Sequence, residues 1–318
     1  TPPRPPFDRE LEGVLAALAA NVPPAITPEM IARFRAIPRD PTVGGLVARV
    51  GAVHDQRSIP GFADAAIDVS VFRRSERPGP GPGILYLHGG GMIFGNRFGG
   101  VGAYLPFVAS HDAVVVAVDY RLAPEHPDPI PVEDCFAALR WMLSHADELG
   151  IDPGRLIVAG QSAGAGLAAG VTLLARDRGE PPIAAQLLVS PMLDDRNDTV
   201  SARQIDGVGV WDRTSNDTGW TALLGDRRGG RDVAASAAPA RTDDLAGLPP
   251  AFLSVGSAEV FRDETVAYAS RIWACGGDAE LHVWPGGFHG FENFAPGAAI
   301  SQASAAARDG WLTRILTG

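Results

Sequence analysis

A doubly wound, mostly parallel α/β sheet is the fold class that this 318-residue sequence predicts. Three observations carry that reading. Short apolar runs at 84–88, 113–119, 155–159, 184–190, 251–256 and 279–284 have the length and composition of buried strands. Helical patterns at 132–147, 163–178, 263–275 and 300–316 alternate with them, as in a parallel sheet covered on both faces. Glycine-bearing motifs follow several of the runs, and in such sheets functional groups collect at the carboxyl ends of strands.

From the start of the chain, Phe7, Leu11, Val14, Leu15 and Leu18 recur at helical spacing. Thr27, Pro28 and Glu29 read as the N-cap and first two residues of a second short helix, through Ile31, Phe34 and Ile37. Both precede the first run in that set, so residues 1–45 are expected to form part of a lid. Residues 46–190 and 236–318 are expected to be the two halves of the core, with a cap insertion at 191–235. Pro78-Gly79-Pro80-Gly81-Pro82-Gly83 is expected to be a loop, neither helix nor central strand. The insertion carries Asp194, Asp195, Asp198, Asp206, Asp212 and Asp217 without the spacing of a calcium loop, and reads as solvated and partly helical. Trp211 and Trp220 either wall a substrate pocket or anchor the insertion.

Two motifs carry chemistry. Gly83 to Met92 is a strand ending in His88-Gly89-Gly90-Gly91, three glycines whose bare N–H groups can approach a substrate oxygen. Gly160-Gln161-Ser162-Ala163-Gly164 follows the apolar run Arg155–Ala159 and precedes an Ala- and Gly-rich helix pattern. Strand, tight glycine-flanked turn and helix are the context in which a serine is exposed as a nucleophile. Ser162 is therefore the candidate nucleophile. Gly89, Gly90 and Ala163 supply the candidate oxyanion donors, aided by the helix N-terminus. His88, at the strand end, is expected to brace the glycine loop.

These two motifs and the string Asp119-Tyr120-Arg121-Leu122-Ala123-Pro124-Glu125-His126-Pro127 resemble the bacterial hormone-sensitive-lipase-like esterases. The resemblance extends from about residue 65 to the C-terminus. It implies an α/β-hydrolase fold with a helical cap, esterase activity often on short acyl chains, and room for bulky alcohol groups beside the triple-glycine loop. It also implies that Asp119 braces that loop, that His126 is structural, and that a homodimer can form, through the edge strand near 279–284. Gln161 stands where the family commonly has Asp, and Ala165 where it commonly has Gly.

A serine nucleophile needs a base and a carboxylate that orients it. Among seven histidines, His289 lies in Pro285-Gly286-Gly287-Phe288-His289-Gly290, directly after the last strand pattern, which gives the chain order serine, acid, histidine. His282 falls within a strand pattern, and His54, His111 and His145 have no motif context. The acid has two candidates. Glu259 stands three residues after Gly256, where the family pattern has Asp, and is favoured; Asp263 is the rival, in the first turn of the following helix.

Composition narrows the field. A net charge of −10 and a pI near 5.1 argue against nucleic-acid binding. Cys135 and Cys275 have no metal-ligand spacing and are expected to be unpaired thiols. The opening Thr-Pro-Pro-Arg-Pro-Pro is no secretory apolar region, and the missing initiator Met is expected to reflect a trimmed or incompletely ordered start. No run of about 18 apolar residues exists to span a membrane. The expectation is a cytoplasmic carboxylic-ester hydrolase acting on small-molecule esters, requiring no cofactor or metal. An amidase or carbamate hydrolase on the same scaffold is the alternative. A non-catalytic receptor is disfavoured because Ser162, an acid and His289 are all present, and Ser162 excludes dehalogenases and epoxide hydrolases that use an Asp nucleophile.

Overall fold

Val114 to Val118 is a run of small and β-branched residues with no exposed side chain. Such a run is stable only inside a sheet covered on both faces. The computed structural model, which describes residues 2–19, 22–37 and 43–317, has that arrangement. The elements in order are α1 (Arg9–Leu18), α2 (Ile31–Arg35), α3 (Val43–Val50), β1 (Val53–Pro60), β2 (Ala66–Arg73) and β3 (Gly81–Leu87). Then come α4 (Pro106–His111), β4 (Val114–Asp119), α5 (Ile130–Ser144), α6 (Ala146–Leu149), β5 (Ile151–Gln161), α7 (Ala163–Asp177) and β6 (Ala185–Val189). The chain closes with α8 (Val200–Gln204), α9 (Arg213–Leu224), β7 (Ala251–Gly256), α10 (Arg262–Ala274), β8 (Ala279–Trp284), α11 (Phe291–Phe294) and α12 (Ala299–Thr317).

The sheet order is β1-β2-β4-β3-β5-β6-β7-β8. β1 and β2 pair antiparallel, β2 and β4 antiparallel, and every later neighbour is parallel. Successive strand residues point to opposite faces. Leu85, Leu87, Val114, Val116 and Val158 face α5, α7 and α10, while Ile84, Tyr86, Val115, Ala117 and Ile157 face α3, α4 and α12. All six strand expectations are met within a few residues. β1 and β2 are additional.

The loop expected at 78–83 and the solvated insertion expected at 191–235 are both corrected: Asp194, Asp195 and Asp212 of the insertion are buried. Gly81-Pro82-Gly83 is not loop but the start of β3, a central strand. The pairing with β5 shifts register between Gly81 and Gly83, and pairing with β4 begins only at Gly83. Pro82 thus falls at an irregularity where its missing N–H costs no ladder bond.

The N-terminal segment packs in two places. Leu11 of α1 is buried with Phe288 and Phe291, beside the loop that follows β8, and the N–H of Asp8 donates to Gly286 O at 3.1 Å. Phe34 of α2 stacks on Phe94 at 5.5 Å, over the loop that follows β3. Residues 38–42, within the expected lid, lie outside the described residues. α3 spans positions 45 and 46, and its Leu46 is buried in the sheet-face core with Phe72 and Tyr86. The insertion at 191–235 contributes α8 and α9. Cys135 is buried, Cys275 half-buried, and both are free thiols.

Candidate active site

Ser162 caps the N-terminus of α7, one residue beyond the end of β5, with φ 57° and ψ −122°. A non-glycine residue there is strained and persists only where its surroundings fix it. They do so by close approach. A Cβ on Gly160 would lie 2.2 Å from Gly164 O, and one on Gly164 would lie 2.1 Å from Leu87 O. Only glycine at both positions lets strand, turn and helix come this near. The elbow is also hydrogen-bonded to β6 and the segment after it: Ser162 N–H donates to Val189 O at 2.8 Å, and Met192 N–H donates to Ser162 O at 3.1 Å.

Three loops at the carboxyl ends of β5, β7 and β8 bring the sequence candidates together. Ser162 Oγ is 3.0 Å from His289 Nε2, and His289 Nδ1 is 3.2 Å from Glu259 Oε1. Glu259 is fully buried, Ser162 is 5 % exposed, and the His289 side chain is 11 % exposed. Nδ1 thus faces the carboxylate and Nε2 faces the serine. The second Glu259 oxygen accepts from Ser190 Oγ at 2.9 Å and from Gly256 N–H at 3.1 Å. Asp263 points elsewhere. Its carboxylate accepts from Ser201 N–H at 2.7 Å and pairs with Arg262. Burial works against that charge, yet these bonds hold its carboxyl below the usual range.

The glycine loop leaves β3 beside the nucleophile. A Cβ on Gly89 would stand 3.2 Å from Ser162 Cβ, and Gly90 has φ +122°. His88 is buried. Its ring stacks on Tyr120 at 4.2 Å, its Nδ1 is 2.8 Å from Gly89 O, and Tyr120 Oη donates to His88 O at 2.7 Å. Farther along, Asp119 accepts from the N–H of Arg97 at 2.7 Å and pairs with its guanidinium, which also donates to Ser70 at 2.8 Å. Asp119 thus ties down the far end of the loop.

The two tryptophans part company. Trp211 covers Gly91, meets Phe94 edge-on, and lies 6.5 Å from the His289 ring, whereas Trp220 is fully buried. His282 pairs with Glu280 on β8 and takes no part. Among the described residues no group of three His, Cys, Asp or Glu side chains could hold a metal ion, and no helix is long and apolar enough to cross a membrane. Ser190 and Arg35 lie outside every motif; their contacts span 69 and at least 58 positions, and no local signal marks them.

An elbow serine, a facing histidine and a buried carboxylate on a doubly wound sheet define a serine hydrolase. A family model described as the alpha/beta hydrolase fold matches residues 84–293. Two Mycobacterium tuberculosis proteins are similar. Esterase LipI is 37 % identical over 222 residues, and carboxylesterase NlhH is 39 % identical over 224, each match covering 67 % of both chains. A solved bacterial heroin esterase superposes with TM-score 0.85 at 37 % identity, covering 98 % of each chain. Esterase LipW from Mycobacterium marinum gives 0.81 at 32 %, covering 99 % of this chain and 93 % of that one. The chain belongs to the α/β-hydrolase family, among its hormone-sensitive-lipase-like serine carboxylesterases.

Proposed function

We propose that the protein hydrolyses small carboxylic esters through an acyl-enzyme on Ser162, with His289 as the base and Glu259 as its orienting carboxylate. One observation carries the reading: the unbroken hydrogen-bonded chain from Glu259 through His289 to Ser162, beneath the glycine loop. Ser162 Oγ attacks the ester carbonyl while His289 Nε2 takes its proton. Glu259 holds the imidazole in the required tautomer and stabilises the imidazolium, without being protonated. The carbonyl oxygen becomes an oxyanion that accepts from the N–H groups of Gly89, Gly90 and Ala163, each donor worth about 3–4 kcal/mol. His289 then protonates the departing alcohol. Water attacks the acyl-enzyme by the same route, giving the acid and free Ser162.

The proximity of Gly89 to Ser162 and the position of Ala163 in the first turn of α7 support this oxyanion hole. The bonds that occupy Asp263 support Glu259 as the acid. The substrates are short-acyl or bulky-alcohol esters. The test is hydrolysis of p-nitrophenyl acetate, butyrate, octanoate and palmitate. Wild type favours the short chains, Ser162→Ala and Glu259→Ala are near-inactive, and Asp263→Ala retains activity. An Asp263→Ala enzyme as dead as Ser162→Ala moves the acid assignment. Undiminished turnover by Ser162→Ala ends the serine-esterase reading, and faster turnover of a matched anilide than of the ester moves it to an amidase.

A further inference from the structure

Arg35, the last residue of α2, reaches out of the N-terminal segment with a guanidinium that makes four hydrogen bonds to two different loops. Its Nε donates to Ile93 O at 2.7 Å. One terminal nitrogen donates to Ala123 O at 2.6 Å, and the fork as a whole grips both Glu125 oxygens at 2.8 and 2.9 Å. Ile93 belongs to the glycine loop. The N–H groups of Ile93 and Phe94 both donate to Gly90 O at 3.0 Å, so Ile93 O and Gly90 lie in one closed turn. That turn is bonded to the second loop independently, through Ala123 N–H to Met92 O at 2.9 Å.

We propose that Arg35 is a positioning residue for the oxyanion hole, by which the docked cap fixes the turn that presents the Gly90 N–H. The inference rests on the esterase reading above and deepens it. Energetics favour a geometric role over a stabilising one. Glu125 is 58 % exposed, so its ion pair contributes little to stability. The two carbonyl bonds are different in kind, because a planar fork fixes the relative orientation of its acceptors. An oxyanion donor displaced by about 1 Å costs catalysis far more than it costs folding.

The experiment compares wild type, Arg35→Ala, Arg35→Lys and Phe34→Ala on p-nitrophenyl acetate, with melting temperature and inhibition by an aryl trifluoromethyl ketone, which forms a tetrahedral adduct. Arg35→Ala is expected to lower kcat about 10- to 100-fold, with a small change in KM and a Tm within a few degrees. The inhibition constant rises in step with the loss of kcat/KM. Arg35→Lys keeps the charge but not the fork and recovers only part of kcat. Phe34→Ala removes the stack on Phe94 while leaving the fork, and it is expected to lower kcat less than Arg35→Ala does. The proposal is overturned if Arg35→Ala keeps kcat and inhibitor affinity within twofold of wild type, or if it matches Phe34→Ala in both constants. Should Arg35→Ala fail to fold, Arg35→Lys is judged alone, and full kcat in it overturns the proposal. An inactive Ser162→Ala beside a wild-type-like Arg35→Ala rejects this inference only; an active Ser162→Ala rejects the esterase reading beneath it.

Discussion

Ser190 Oγ donates to Glu259 Oε2 at 2.9 Å, the carboxylate oxygen that faces away from His289. With Gly256 N–H on the same atom, both carboxylate oxygens of a fully buried residue are occupied. A buried carboxylate held this way cannot rotate, and its remaining lone pairs are directed at the imidazole. Ser190→Ala removes one of these donors and leaves the charge less well solvated. The expected result is a kcat/KM lower by about five- to tenfold, the scale of one buried hydrogen bond. In a Glu259→Ala background the same substitution should have almost no further effect on kcat/KM, because the two residues act as one unit. Additive losses would show that Ser190 acts elsewhere.

Glu259→Gln tests the carboxylate itself. The amide fills the same space but cannot provide two acceptors to its donors and charge to the imidazolium. By analogy with other triads, kcat should fall by about 10³- to 10⁴-fold with KM little altered. Glu259→Asp keeps the charge and shortens the reach across a gap already 3.2 Å wide. A loss of about tenfold is expected there, read from steady-state kinetics on the butyrate ester. An Asp variant as weak as the Gln variant would mean that the loop after β7 cannot advance toward His289.

Much of this was legible because chemistry and local sequence coincide. Ser162 lies between two glycines at a change from strand to helix period, and His289 and Glu259 each follow a strand pattern. What was not legible depends on distant contacts or broken patterns. β1 reads Val-His-Asp-Gln-Arg-Ser-Ile-Pro and buries only Ile59, because it is an edge strand with most of its side chains toward solvent. Pro82 reads as a breaker because a register shift cannot be seen in one strand alone. Ser190 and Arg35 sit in no motif; their partners are set by the sheet order and by how α2 docks.

Gly164→Ala measures how tightly the elbow is built. The added methyl would stand 2.1 Å from Leu87 O and 2.5 Å from His88 O, both backbone atoms of a central strand and its end. Neither can retreat without opening the sheet. A loss of at least about 2–3 kcal/mol in urea unfolding is expected, together with activity reduced more than the residual folded fraction explains. Ala165, which already carries a methyl in the same helix, is the control: Ala165→Gly should change activity less than threefold.

Glu292 gives the fold a pH dependence opposite to that of a surface carboxylate. Burial raises its pKa to about 7; Glu259 adds to the effect, while the Ser304 hydroxyl and Arg308 oppose it. Its Oε1 accepts from Ser304 at 3.0 Å, and its Oε2 is buried without a hydrogen-bond partner beside a cavity of about 30 Å³ lined also by Tyr86, Tyr104 and Gln161. The sign follows from proton counting. Between pH about 4.5 and about 7 the folded chain holds a proton on Glu292 that the unfolded chain has released. Stability from this group is therefore complete below about 4.5 and lost as pH rises to about 7, an effect on the order of 3 kcal/mol. Glu264 works in the same direction, since burial also pushes its carboxyl up. Glu292→Gln removes the titration while keeping an oxygen for Ser304. Urea unfolding at pH 5, 6, 7 and 8 should show wild type losing stability across this range relative to Glu292→Gln, with the gap constant above pH 7.5. Parallel curves for the two proteins would mean that the Glu292 carboxyl is ionised throughout, with its charge balanced by Arg308.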